Sequence, residues 1–175
     1  FFFVVDVTEQ VLSRKKIEES EKKYSDLIQN LPVAVYTTDT EGKIVLYNKA
    51  ASDLWGREAK IGHDLWCGSW KLYYPDGTLM KAEHCPMAQT LKSGKLLRGY
   101  EIITERPDGS LHHILPYPSP LLNAAGKLTG GVNVLIDVTE SRKSQKEKEL
   151  LNRISHIFNR EYKLEDCLKA SLKEI

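Results

Sequence analysis

The chain of 175 residues has only three cysteines, Cys67, Cys85 and Cys167, and no two of them form a C-x-x-C pair. An odd number of widely spaced cysteines argues against a disulfide framework and a structural zinc site, and it fits a reducing cytoplasm. An excess of one charge is also lacking, because 25 Lys and Arg balance 24 Asp and Glu. A net charge of +1 gives no field that would attract nucleic acid or an anionic membrane.

Long apolar runs and catalytic signatures are lacking as well. No hydrophobic stretch approaches the roughly 20 residues that a membrane-spanning helix requires. The sequence contains neither a G-x-S-x-G motif nor a G-x-x-x-x-G-K phosphate loop. We therefore expect a non-catalytic chain without a membrane segment, located in the cytoplasm.

One short pattern occurs twice, at residues 3–9 and at residues 134–140. In both copies an apolar run rich in β-branched residues leads into Asp-Val-Thr-Glu, and a charged segment follows. The repetition predicts that residues 1–10 end an upstream domain and that residues 32–140 are a complete domain of the same kind. The other segments are a connecting helix, a linker helix and the start of a further domain: residues 11–31, 141–160 and 161–175.

The connecting segment has the pattern of an amphipathic helix. Ile17, Tyr24 and Leu31 recur every seven residues among Lys, Glu and Gln, and Pro32 ends the pattern. Such a seam favours either a short two-stranded coiled coil or a helix packed on its own domain. We predict that these three residues form the contact of a homodimer that is built through the flanking helices.

The central domain alternates between strand and short-helix patterns. A hairpin is predicted over residues 33–47, and Asn48 is suited to cap a short helix that Gly56 ends. Residues 57–82 read as irregular, and a second short helix follows over residues 84–93. Three strand-like runs complete the domain: residues 98–105, 110–117 and 128–137.

This order of elements predicts an α+β fold. We expect a five-stranded antiparallel sheet with short helices on one face, flanked by N- and C-terminal signalling helices.

The motifs of the domain, taken in order, resemble those of the PAS sensory domain. They are Asp39-x-x-Gly42-x-Ile44-x-x-Tyr47-Asn48, the helix from Pro86 to Gly94, Arg106-Pro107-Asp108-Gly109, Asn123-x-x-Gly126-x-x-x-Gly130-Gly131 and Asp137-Val138-Thr139-Glu140. The resemblance covers residues 31–140 and implies a sheet whose concave face encloses a small ligand pocket. The tail from Tyr162 is similar to the start of a GAF domain, and the tandem layout is similar to that of bacterial sensor histidine kinases.

Strand alternation and the short helices direct a set of side chains toward the implied pocket. Tyr47, Tyr100 and His113 would supply polar contacts within apolar walls, as is typical of ligand sites. The alternative, that these side chains only fill the core, stays open. The predicted ligand-binding residues are Val35, Tyr47, Leu54, Trp55, Met87, Leu91, Tyr100, Ile102, His113, Leu115, Val132 and Val134.

The Asp-Val-Thr-Glu motif lies where the last strand becomes the outgoing helix. Asp137 or Thr139 can accept a hydrogen bond from the amides of the first helical turn, and Glu140 suits the positive end of the helix dipole. We predict that Asp137, Thr139 and Glu140 relay a change in the pocket to the helix.

The cofactor stays unknown, and the resemblance offers two candidates that the residues disfavour. In haem-binding members of the family a His on the second short helix holds the iron, and His84 stands at the start of that helix. Light-sensing flavin-binding members carry an Asn-Cys-Arg-Phe run, and Cys67 lacks those neighbours. We interpret His84 as part of a helix entry and Cys67 as a buried, inert thiol. No metal site is predicted.

The sequence thus predicts a sensory and signal-relay module of a signalling protein similar to a sensor histidine kinase. The expected partners are a second copy of the chain, neighbouring domains of the same chain and a small-molecule ligand. Two alternatives stay open: a ligand-free domain that dimerises and spaces its neighbours, and a haem sensor that uses His84. We expect the output domain to lie outside this chain, where a cyclic-dinucleotide enzyme is as compatible as a kinase.

Overall fold

The computed structural model describes residues 8–154 of the chain. The chain divides into two units, Phe1–Asp137 and Val138–Ile175. The second unit contains helix α4, which begins at residue 139 and continues to the end of the described residues. The predictions for residues 1–7 and 155–175 lie outside the described residues. The first unit contains α1 (Thr8–Gln29), β1 (Ala34–Thr38), β2 (Ile44–Tyr47), α2 (Lys49–Trp55), β3 (Lys71–Tyr73), β4 (Leu79–Met80), α3 (Pro86–Ser93), β5 (Ile102–Glu105), β6 (Leu111–Leu122) and β7 (Leu128–Asp137).

Within the described residues the strands form one antiparallel sheet of seven, in the order β2-β1-β7-β6-β5-β3-β4. The predicted α+β class is confirmed. The predicted count of five strands is wrong, because β3 and β4 form in the stretch that read as irregular. These strands have three and two residues, which is too short for apolar alternation to mark them. They form because β3 pairs with the free edge of β5.

The two faces of the sheet differ in what they contact. Residues directly opposite each other on antiparallel strands share a face, and Tyr36 is paired with Asn133 while Ile102 is paired with Ile114. We call this the inner face, because its buried side chains form one core with α2 and α3. We call the opposite side the outer face; it carries the half-buried Leu115.

Asn48 explains how α1, β1 and α2 are held together. Its Oδ1 atom caps α2 by accepting from the Ala51 amide at 3.0 Å, and it also accepts from the Val35 amide at 3.0 Å. Its Nδ2 group donates to the Val33 carbonyl at 2.8 Å and to the Ile28 carbonyl at 3.1 Å. The predicted cap is therefore present, and the same buried side chain also fixes the end of α1 against the sheet domain.

Candidate functional site

A cavity of about 10 Å³ lies between the inner face of the sheet, α3 and the segment that precedes β3. This volume corresponds to about one water molecule. The walls combine apolar side chains with a few polar groups: Tyr36, Cys67, Ser69, Leu72, Cys85, Pro86, Met87, Ile102, Ile114, Pro116, Asn133 and Leu135. The core around the cavity is therefore almost filled by the side chains of the chain itself.

A buried hydrogen-bond chain runs along one wall of the cavity. The Asn133 side chain accepts from the Tyr117 amide at 3.0 Å and donates to the Tyr36 hydroxyl at 3.0 Å. The Tyr36 hydroxyl in turn donates to the Trp66 carbonyl at 2.7 Å. Burial raises the pKa of Tyr36 well above its ordinary value, so the hydroxyl remains a donor. These three hydrogen bonds link strands β6, β7 and β1 to the segment between α2 and β3.

Two cysteines meet at the cavity. Cys85 is the N-cap of α3, where its Sγ accepts from the Ala88 amide at 3.5 Å. Interaction with the neighbouring Cys85 thiol, helped by Ser69 and Arg57 and opposed by burial, lowers the pKa of Cys67 to about 7. The same interaction, followed by burial, raises the pKa of Cys85. Cys67 is thus the acidic member of the pair and Cys85 the proton donor.

The backbone around Cys67 is held on both sides. Trp66 has a φ of 66°, a left-handed conformation that bulky residues rarely adopt. The Trp66 carbonyl is bound by Tyr36, and the Gly68 carbonyl accepts from Arg57 Nη1 at 2.8 Å. A Cβ atom on Gly68 would lie 2.2 Å from the Trp55 ring, so only glycine allows this approach. These contacts fix the position of the Cys67 thiol.

A surface groove of about 240 Å³ borders the cavity. Cys67, Ser69 and Leu72 line both spaces, while the exposed Trp70 and Leu79 line the groove alone. The half-buried Cys67 therefore stands in the wall between the enclosed core and the surface, which corrects the interpretation of this residue as buried.

The structure divides the predicted pocket residues into two groups. Tyr47, Leu54, Trp55, Met87, Leu91 and Ile102 belong to the core or pack against it, and of these Met87 and Ile102 line the cavity. The inward placement predicted for the remaining residues is wrong. Tyr100 precedes β5 and is 46% exposed. The residues on the outer face are Val35, His113, Leu115, Val132 and Val134.

The error on β7 has an identifiable cause. Alternation defines two faces of a strand but not which of them faces the core, and a shift of one residue exchanges them. The β-branched Val132 and Val134 favoured the wrong face. The inner face of β7 instead needs a small residue, because a Cβ on Gly131 would lie 2.7 Å from Met87 Sδ. Close packing of α3 against Gly131 therefore decides the orientation.

The other predicted site residues occupy exposed positions or the ends of elements. The His84 side chain is 54% exposed. Asp137, at the end of β7, lies 2.8 Å from His112 Nδ1 through its Oδ2 atom, and Glu140 pairs with Lys143 at 2.8 Å. Thr139 lies in the first turn of α4 and takes part in at least one polar or electrostatic interaction there.

Three further residues were missed as site residues, namely Tyr36, Asn133 and Cys85. No spacing rule connects them, since they come from separate elements that only the fold brings together. The buried Asn133 within an apolar strand was the available signal.

Neither a metal cluster nor a membrane-spanning helix is found in the described part of the chain. Among residues 8–154 no three His, Cys, Asp or Glu side chains are placed to share a metal ion. Over the same residues no helix has both the length and the apolar character needed to cross a bilayer.

The chain thus forms an α+β domain in which short helices cover one face of an antiparallel sheet and enclose a small cavity. A family profile described as the PAS fold matches residues 28–143, which is more than half of the chain. The chain therefore belongs to the PAS family, as its motifs predicted. PAS domains are generally sensory modules without catalytic activity, and they commonly dimerise. No curated protein sequence matches the chain.

Solved structures show the same fold. The chain is similar to the PAS domain of an HTR-like protein from Haloarcula marismortui, with 18% identity, a TM-score of 0.54, and coverage of 71% of this chain and 97% of that one. The PAS domain of the fruit-fly ELK potassium channel has 19% identity and a TM-score of 0.53, with coverage of 67% of this chain and 96% of that one. An RNA-binding Light-Oxygen-Voltage receptor matches at 19% identity and a TM-score of 0.54, over 89% of this chain but only 40% of the receptor. At these identities the likeness is one of fold.

The cavity residues do not fit haem or flavin. Ligand pockets of that kind occupy about 300 Å³ or more, whereas this cavity has about 10 Å³. The exposed His84 also lacks the apolar surroundings of a haem ligand.

Proposed function

We propose that this chain is a signal-relay PAS module of a cytoplasmic sensor protein, and that the parent protein is a sensor histidine kinase. The observation that carries the proposal is the direct pairing of β1 with β7. The chain enters β1 from α1 and leaves β7 toward α4, so both helices join central strands of one sheet. A shift between these strands would reach both helices through covalent connections.

The ends of the paired strands are fixed by specific contacts. Asn48 bonds the last turn of α1 as well as the Val35 amide, and Asp137 meets His112 across the sheet. We propose that Asp137, Thr139 and Glu140 pass the signal from β7 to α4.

Replacing Asp137 with Ala in the full-length protein tests this relay. The expected result is an output that no longer responds to the stimulus, while the domain stays folded. The matched control is Asp108→Ala, which removes an exposed carboxylate from the turn between β5 and β6. An unchanged response in the Asp137 variant would contradict the relay.

We also propose that the module dimerises through α1 and through Leu31, which follows the helix because α1 ends at Gln29 rather than at the predicted residue 31. Ile17, Tyr24 and Leu31 are 59%, 65% and 42% exposed, so the rest of the first unit leaves their apolar surface uncovered. Exposed apolar side chains at heptad spacing favour a partner helix.

Sedimentation of the 175-residue protein tests the dimer. We expect a dimer at micromolar concentration that Tyr24→Glu converts to a monomer, while Lys15→Glu leaves it intact. A monomeric wild-type chain at high micromolar concentration would contradict the proposal.

A second candidate function is the binding of a small molecule. It is favoured by the Tyr36 hydroxyl and the Asn133 amide, which lie in mainly apolar walls next to the surface groove. A ligand larger than water would require the wall around Cys67 to move. Extra mass in the native but not the denatured protein would support this candidate, and equal masses would favour the ligand-free relay.

The outer segments complete the proposed layout. We propose that residues 1–10 end an upstream PAS-like domain and that residues 161–175 begin a GAF-like domain. The two Asp-Val-Thr-Glu copies support the first assignment.

A further inference from the structure

The Cys67 and Cys85 sulfurs are neighbours in the fold although they are far apart in the sequence. Both line the core cavity, and Cys67 also lines the surface groove. Cys85 is buried at the first turn of α3, whereas Cys67 is half-buried. Cys67 thus lies in the wall between the groove and the cavity, and Cys85 lies on the cavity side of that wall.

We propose that Cys67 and Cys85 are a peroxide-responsive pair in which Cys67 reacts first and Cys85 then closes a disulfide. The contacts that hold the Trp66 and Gly68 carbonyls keep Cys67 in place for this reaction. The lowered pKa of Cys67, at about 7, supplies a substantial thiolate fraction at neutral pH. The raised pKa of Cys85 keeps its proton available until the second step.

The reaction balances with hydrogen peroxide as the oxidant. The Cys67 thiolate attacks one peroxide oxygen, the O–O bond breaks, and the released hydroxide takes a proton to become water. Cys67 is then a sulfenic acid. The Cys85 sulfur attacks Cys67 Sγ as its proton passes to the departing hydroxyl, so that the S–O bond breaks, the S–S bond forms and a second water leaves. Two thiols are oxidised and one peroxide is reduced.

The bond would join the segment before β3 to the start of α3, and both of these line the cavity. A disulfide would therefore restrict the movement of the segment before β3 relative to α3. In a reducing compartment disulfides are usually transient and redox-sensing, which fits a module that reports conditions. The inference is independent of the proposed relay, because it concerns only the chemistry of the pair.

The test uses the 175-residue chain with Cys167→Ser, so that only the pair remains. The protein is treated with one equivalent of hydrogen peroxide, alkylated with N-ethylmaleimide and measured as an intact mass. We expect a mass lower by two hydrogen atoms, no alkylation, and a cross-linked peptide containing both cysteines that dithiothreitol releases. Full alkylation of both thiols after excess peroxide would overturn the proposal.

Two variants distinguish the roles of the thiols. In Cys85→Ser, serine is also suited to the N-cap, and we expect dimedone to capture a sulfenic acid at Cys67. In Cys67→Ser, Cys85 should react with peroxide at least about ten-fold more slowly than Cys67 does. Faster oxidation of Cys85 than of Cys67 would overturn the assignment, and circular dichroism of each variant confirms that it is folded.

The pH dependence gives an independent readout. The rate of Cys67 alkylation should be half-maximal near pH 7, compared with about 8.5 for an ordinary thiol. Cys85→Ala should move the midpoint upward, because it removes the neighbouring thiol that stabilises the Cys67 thiolate. An ordinary midpoint in the unaltered pair would contradict the role of Cys67 as the reactive thiol.

Discussion

The two faces of the sheet have different chemistry although they share the same strands. The inner face packs Tyr36, Ile114 and Leu135 against the short helices, and it includes the hydrogen-bonded Asn133. The outer face carries Leu115 and the polar contact between His113 Nδ1 and Glu101 Oε1 at 2.9 Å. Neighbouring residues on one strand therefore have very different surroundings.

This difference predicts that the two faces contribute unequally to stability. Large side chains with almost no exposure provide most of the hydrophobic free energy of folding. Half-buried side chains contribute less and remain available for contacts with other surfaces. We therefore expect substitutions on the inner face to change the free energy of unfolding far more than matched substitutions on the outer face.

The largest effect is expected for Ile114→Ala. Ile114 is fully buried in the core, so the change removes apolar contacts and leaves a cavity. We expect a loss of about 3 kcal/mol in the free energy of unfolding, measured by urea titration. The matched control is Leu115→Ala on the outer face, with an expected loss of about 1 kcal/mol. Equal losses for these neighbours would contradict the assignment of the faces.

Most of the fold could be predicted from the sequence because its signals are local. Asn48 and Gly56 indicated the ends of α2, and the helix predicted over residues 84–93 begins two residues later, at Pro86. The end of β7 at Asp137 could be predicted because the apolar strand pattern changes there to the pattern of a charged helix. β3 and β4 could not be predicted, because their pairing depends on the edge of β5 rather than on their own pattern.

The candidate site was less predictable because it depends on contacts between distant elements. Cys67 and Cys85 carry no spacing signal, and they meet only when α3 packs on the sheet. The inward orientation of Asn133 depends on the close approach of Met87 to Gly131. The sequence pattern of a single strand predicts neither the meeting of the two cysteines nor the approach of Met87 to Gly131.

A smaller effect is expected for Tyr36→Phe, which removes one hydroxyl and little volume. The change breaks the link from Asn133 to the Trp66 carbonyl and leaves these buried groups without that partner. We expect a loss of about 1.5 kcal/mol in the free energy of unfolding. The control, Tyr117→Phe on the exposed outer face, should change it by less than about 0.5 kcal/mol.

The two tyrosine variants also test the link to Cys67. Because Tyr36 holds the Trp66 carbonyl, its loss should increase amide hydrogen exchange around Cys67, while the Tyr117 variant should leave that exchange unchanged. If neither variant alters exchange there, the hydrogen-bond chain does not hold the segment in place.

The smallest effect is expected for Glu105→Gln on the outer face. Glu105 bonds Lys71 at 2.7 Å and also Tyr73, and these two bonds, in that order, lower the pKa of its carboxyl. A lowered folded-state pKa means that the carboxylate stabilises the fold above its ordinary pKa of about 4.3 and that this contribution disappears as the pH falls through the lowered value.

The melting temperatures of wild type and Glu105→Gln should therefore differ at neutral pH and converge as the pH is lowered through the depressed pKa of Glu105. Glu19→Gln on α1 controls for the loss of one surface carboxylate. Added salt should reduce the difference at neutral pH, because partly exposed charges are screened. A difference in melting temperature that persists in acid would show that Glu105, Lys71 and Tyr73 stabilise the sheet through packing rather than charge. The inner and outer faces would then differ only in how much packing energy each contributes.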